Sequence, residues 1–296
     1  MKAVRLLAAV LGGVLALAIV ITAVIVLNGW ILAHRKPANR LRAIAVQPDS
    51  SLLARGEHLA RTSCAGCHSP NMQPPLSGAT ADFFTEPGMP PFGHLVSPNL
   101  TPGGRLAQYS DAELARAIRE GVNREGRPML IMPSARFHAL SDRDVAALVA
   151  FMRSQPAVEH ATRARELNPL AYFVLGARMF PLSDMPEAPA GQQGPAEAVT
   201  PEYGEYVAKY LTCQDCHGAD LRGGRKGQFP PLGPDLVALA AAHSLAEFDG
   251  AMRQGRSAKD GHSLDPTQMP YPIYANASDT EVGAIYALLK AGGIKP

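Results

Sequence analysis

The chain has 296 residues, a formal charge of +2, 6% aromatic residues and a single Trp. That length has room for about two domains, and a charge this close to zero leaves no basic footprint for nucleic acid. Aromatic content this low is meagre for two cores, so a bulky apolar group is expected to complete them.

Leu6 to Leu27 is an unbroken run of 22 residues without charge or proline. As a helix it would be about 33 Å long, close to the hydrocarbon thickness of a bilayer, and Trp30 falls where an interfacial aromatic belongs. Residues 1–33 are therefore read as a transmembrane anchor. A cleaved signal peptide is the competing reading, because Lys2 and Arg5 make a basic start, but the run is longer than a signal core and no clear small-x-small site precedes His34. Residues 34–49 connect the anchor to the first domain. Their Arg35, Lys36, Arg40 and Arg42 outnumber the charges before the span, so the positive-inside rule does not favour export of the carboxyl side.

Gly56-Glu57 opens a short helix that leads into Cys64-Ala65-Gly66-Cys67-His68, and the same pentapeptide pattern returns as Cys213-Gln214-Asp215-Cys216-His217, 149 positions on. Two thiols three residues apart can each add to one vinyl group of a porphyrin, and the adjacent histidine then faces the iron. Two covalently attached haem c groups are the direct reading. A zinc site or a redox dithiol would leave both histidines unexplained. The copies use all four cysteines, leaving none for disulfides, and the propionates would bring the net charge to about −2. Covalent haem attachment of this kind places residues 34–296 in the bacterial periplasm, with the anchor in the inner membrane.

Downstream landmarks also repeat. Ser110-x-x-Glu113 and Ser244-x-x-Glu247 read as capping boxes of helices ending near Gly121 and Gly255. Ser141-x-x-Asp144 and Ser278-x-x-Glu281 resemble boxes before a last helix, whose apolar stripes are Val145, Leu148, Val149, Met152 and Val282, Ile285, Tyr286, Leu289. The offsets of 149, 134 and 137 give the first copy about 15 extra residues, including Asp82-Phe83-Phe84 and Met89-Pro90-Pro91-Phe92. Between the copies, the apolar stretch 168–180 is too short to span a membrane; it either packs on the first domain or serves an interface. Ser183 to Pro201, rich in Pro, Ala, Gly, Gln and Glu, reads as a semi-flexible linker. The expected division is 50–158 for the first domain, 159–200 for the apolar segment and linker, and 201–296 for the second.

A soft thioether as sixth ligand makes a histidine-ligated iron an electron carrier. Met132 and Met269, each followed by Pro and each nine residues before a capping serine, hold the same repeat position. Met129, one turn from Met132, is the alternative in the first copy. The proximal imidazoles, His68 and His217, need their other nitrogen held, and the carbonyls of Pro98 and Pro234 in the Pro-Asn-Leu and Pro-Asp-Leu turns are the candidates. The remaining histidines share no spacing and default to scattered surface or core roles.

Motif, Pro-Asn/Asp-Leu turn, Met-Pro and terminal helix together resemble class I cytochrome c domains. Ser97-Pro98-Asn99-Leu100-Thr101-Pro102, Ala117-Ile118-Arg119-Glu120-Gly121-Val122 and Leu140-Ser141-Asp142 make the first half similar to cytochrome c subunits of membrane-bound alcohol and gluconate dehydrogenases. Those usually carry three haems, whereas this chain has two motifs. The resemblance implies an all-α fold, two class I cytochrome c domains in tandem behind an N-terminal transmembrane helix. It also implies a non-catalytic subunit that passes single electrons from a periplasmic dehydrogenase to the respiratory chain. Redox partners would be a dehydrogenase, an oxidase or a soluble cytochrome. The rivals are a dihaem subunit of a cytochrome oxidase and a dihaem peroxidase, which needs one open iron.

Overall fold

The computed structural model describes residues 1–85, 89–225 and 232–295. The fold is mostly helical; the sheet among the described residues is one antiparallel pair, Gly93–His94 with Glu166–Leu167. The expected insertion in the first copy includes residues 86–88, which lie outside the described residues.

Lys2–His34 is one continuous helix, long and apolar enough by length and composition to cross a membrane. Its far end is not bare. Pro169–Gly176, started by Asn168, which accepts from the Ala171 N–H, packs across it at two glycines. A Cβ at Gly29 would lie 1.7 Å from the Tyr172 carbonyl oxygen, and one at Gly176 1.9 Å from that of Ile25. Only glycine permits that approach. Asn28 Nδ2 donates to the Gly176 carbonyl at 3.1 Å. The other side of the short helix buries Ala171 against Phe84 and Phe92. The apolar stretch thus packs on the insertion of the first half, and its contact with the N-terminal helix is a feature that short-range periodicity does not announce.

In each half a first helix crosses a last one. Ser50–Leu59 crosses Asp142–Ser154, and Pro201–Tyr210 crosses Asp279–Lys290. Both crossings are built on one glycine, since a Cβ at Gly56 or Gly204 would come within 2.0 Å of the carbonyl oxygen of Ala147 or Ala284 respectively. The two predicted stripes line the core: Val145, Leu148, Val149, Met152, Val282, Ile285 and Leu289 are buried, and Tyr286 packs against them half-buried.

Helix starts follow their caps. Ser110/Glu113, Ser244/Glu247 and Ser278/Glu281 are reciprocal capping boxes, and Gly121 and Gly255 end their helices in the left-handed conformation at φ 62° and 64°. Ser141/Asp144 differs. Ser141 Oγ accepts from the Asp144 N–H at 3.0 Å, but the carboxylate turns away to Arg55 and Tyr206 instead of returning a bond.

The stretch 183–201 runs along the first half with its backbone bonded. Ser183 N–H donates to Met129 O, Met185 N–H to Glu120 O, and Asp142 N–H to Gln192 O. The buried Glu120 carboxylate accepts from Ala188 N–H at 3.0 Å and from Asn39 Nδ2, so one side chain holds both the connector after the N-terminal helix and the start of the linker. Arg35 with Asp184 and Arg42 with Glu187 add ion pairs between the same two segments.

The halves meet through a polar cluster. His58 Nε2 donates to Glu281 Oε1 at 2.7 Å, and Tyr210 donates to the same oxygen. Tyr206 donates to Asp144 Oδ2 at 2.6 Å, while Arg55 clasps Asp144 through two bonds of 2.9 Å and lies over the Tyr210 ring. With Gly56 matched to Gly204, His58 corresponds to Tyr206, and Asp144 corresponds to Glu281. The two contacts are therefore the same contact made twice, as across a two-fold axis.

Candidate functional site

The Cys64 to His68 segment runs through a π-turn, Ala60–Cys64, into a single helical turn, Ala65–His68; its counterpart is the turn Cys213–His217. All four thiols are free, with Cys64, Cys213 and Cys216 partly buried and Cys67 exposed. His68 and His217 are buried. Each donates from Nδ1 to a proline carbonyl at 2.9 Å, His68 to Pro98 and His217 to Pro234. Burial lowers the pKa of both imidazoles, against the proline carbonyls that raise it, so each is held neutral with Nε2 left as an acceptor.

The proline turns are themselves anchored. Asn99, fully buried, accepts from Thr101 N–H at 2.9 Å and donates to Val158 O at 2.7 Å. Asp235 accepts from Ala238 N–H at 2.8 Å and caps the helix Leu236–Ala242. Gly233 backs the His217 ring so closely that a Cβ there would lie 2.5 Å from Nδ1. In both turns the residue after proline fixes the carbonyl that orients the imidazole.

The two Met-Pro segments share one backbone shape. Met132 O accepts from Ser134 N–H at 2.8 Å and Met269 O from Tyr271 N–H at 2.7 Å, and Pro133 and Pro270 have φ/ψ of −79°/49° and −76°/53°. Cys64, Met132, Cys213 and Met269 all pack against the same apolar cluster as the core. Met129 takes a different position. Its N–H donates to Gly121 O at 2.7 Å, as that of Leu264 does to Gly255 O, so its counterpart in the second half is a leucine without a sulfur to offer.

These residues fit a thioether-linked porphyrin better than a bare ion. Burial pushes the Cys64 and Cys213 thiols up to about 12 and raises that of Cys216, so the thiolates that zinc or a redox dithiol requires are disfavoured. Among the described residues no three His, Cys, Asp or Glu side chains gather to hold a metal. A pair of neutral thiols, one neutral imidazole with an oriented Nδ1–H and a thioether against apolar walls form instead the donor set of a covalently held haem.

This arrangement, two thiols and an imidazole on one helical turn beneath crossed first and last helices, is of the kind that attaches a haem covalently. Residues 53–156 match the cytochrome c family and are a cytochrome c domain, which carries covalently bound haem c. The chain is similar to a nicotinate dehydrogenase subunit of Pseudomonas putida, at 28% identity over 64% of this chain and 16% of that protein. It is also similar to the cytochrome c subunit of a quinone-linked alcohol dehydrogenase of Gluconobacter oxydans (32%, over 37% and 22%). A third relative is the gluconate 2-dehydrogenase cytochrome c subunit of Pantoea cypripedii (36%, over 30% and 22%). In each case the match spans less than a quarter of the relative's own length.

Sequence reasoning missed His58, assigned to no role, and Arg136, which reaches from the first Met-Pro segment to Asp215 at 2.7 Å. Neither has a motif. The signal that could have found them is the repeat itself, since each contact has a counterpart between the positions that the offsets make equivalent to its own.

Proposed function

We propose that the chain is a membrane-anchored dihaem c-type cytochrome that passes single electrons from a periplasmic dehydrogenase to the respiratory chain. The observation that carries this reading is the repetition of one site. Cys213, Cys216, His217, Pro234 and Met269 stand to one another in sequence, backbone shape and hydrogen bonding as Cys64, Cys67, His68, Pro98 and Met132 do. The similarity to the nicotinate dehydrogenase subunit, covering 64% of the chain, is longer than residues 53–156 can hold and so reaches beyond the first domain. A dehydrogenase partner is supported by relatives that are subunits of such enzymes.

Haem, when bound, supplies a one-electron ferric/ferrous couple. Each residue then has a task. Cys64 and Cys67 tether it, as do Cys213 and Cys216. His68 and His217 bind through Nε2, their planes set by the Pro98 and Pro234 carbonyls. Met132 and Met269 would offer their sulfurs to the iron, which would favour its reduced form and exclude other ligands. The apolar walls keep water out, so little has to reorganise when the charge changes.

Haem content per chain by absorbance against mass, followed by redox titration, tests the reading: two haems, both six-coordinate, and little binding of carbon monoxide to the reduced protein are expected. Steady turnover of hydrogen peroxide at a five-coordinate haem would replace the carrier with a peroxidase.

A further inference from the structure

The interface between the halves repeats its contacts also at the attachment sites. Gly66, inside the first Cys-x-x-Cys-His, lies against Ile273 of the second Met-Pro segment, so near that a Cβ would come within 2.2 Å of Cδ1. Asp215, the residue equivalent to Gly66, accepts from Arg136 Nε at 2.7 Å, and Arg136 is the residue equivalent to Ile273. Each attachment loop is therefore covered by the other half's Met-Pro segment. The shape is two-fold and the charge is not: one crossing is apolar, the other an ion pair.

From this asymmetry we infer that Arg136 of the first half offsets the Asp215 carboxylate built into the second attachment loop, and so holds the second haem's reduction potential above the value that carboxylate alone would set. The inference rests on the dihaem reading. Asp215 sits between the two cysteines of its motif and two residues before His217, where a negative charge stabilises the ferric over the ferrous iron and lowers the potential. Arg136 acts in the opposite sense. With side chains 26% and 33% exposed, the pair is only partly screened by solvent. Gly66 carries no charge, so the first haem feels no equivalent local pair. Docking of the halves is thereby part of what sets the second potential, and Arg136 is a positioning residue that tunes a site in the other half.

Spectroelectrochemical titration of the detergent-solubilised holoprotein tests this, with the second haem assigned as the one altered by Met269→Ala. Arg136→Gln should lower the second midpoint, and Asp215→Asn should raise it, each by about a tenfold shift in its redox equilibrium, about 59 mV for one electron. The double variant should return near wild type, and the first haem should not move in any of them. Arg136→Lys, which keeps the charge and changes the packing, should stay close to wild type. Midpoints that do not respond, or an Arg136→Lys shift equal to that of Arg136→Gln, would overturn the assignment. One haem per wild-type chain would instead remove the dihaem reading on which it rests.

Discussion

Met132 and Met129 are three positions apart, and what separates them is backbone register. The N–H of Met129 repeats that of Leu264, while the carbonyl of Met132 repeats that of Met269. Met132→Ala is therefore expected to open one iron, with loss of the weak methionine-to-iron absorption and a lower potential for that haem alone, and Met269→Ala to do the same for the other. Met129→Leu should leave both spectra and both midpoints unchanged; a lost ligand band in that variant would transfer the role to Met129. The attachment motifs and the Met-Pro pair were legible in the sequence because each lies within a few residues or recurs at a fixed offset. Their orienting carbonyls, Pro98 and Pro234, could be named as candidates but not told from ordinary turn chemistry, since Pro-Asn and Pro-Asp are common turn formers until Nδ1 is seen to reach them.

At the scale of helices, three glycine contacts decide how elements cross. Gly56→Ala and Gly204→Ala place a methyl against a backbone oxygen and should each destabilise by about 1–3 kcal/mol. Gly250, in the helix Leu245–Gln254, has nothing within 4 Å of where a methyl would sit, so Gly250→Ala should stabilise by about 0.5–1 kcal/mol. Thermal melts followed by far-ultraviolet dichroism distinguish the two signs. The third contact, Gly29 with Gly176, bears on how the N-terminal helix can be removed. A form starting at Ile25 behind a cleavable export signal keeps the residues that cover Tyr172 and Leu175 and should be soluble with both haems attached. Removing residues 1–33 bares that surface and should drive self-association on gel filtration. Finding the natural protein already cut near residue 34 would show the segment to be a signal peptide. Caps and stripes of these helices could be read from spacing, because they are local. The meeting of 169–176 with 25–33 could not, since two apolar segments far apart in sequence carry no mark of which neighbour each will choose.

Across the whole molecule, the cluster at the two-fold interface links folding to pH. Burial by itself would raise the Glu281 carboxyl, but the bonds from His58, Tyr210 and the Ser278 N–H outweigh it and hold the group below its ordinary value of 4.5. A depressed carboxyl stabilises the folded state fully above the unfolded value, and that stability is lost as pH falls below about 4.5 and through the folded value. Acid should therefore loosen the contact between halves, and Glu281→Gln should remove that part of the pH dependence at a cost of about 1–3 kcal/mol near neutrality; denaturant midpoints measured from pH 7 to 3 would show it. His58 lies 223 positions from Glu281, which is why it read as scattered: nothing local marks a histidine for an acid in another unit. One further consequence comes from the Glu120 carboxylate, which fastens both the segment leaving the N-terminal helix and the segment entering the second half. Such a knot turns a length of chain that composition suggests is a rope into a strut. A linker held this way keeps the faces on either side of it in one fixed relation, and that is what an incoming partner is expected to meet.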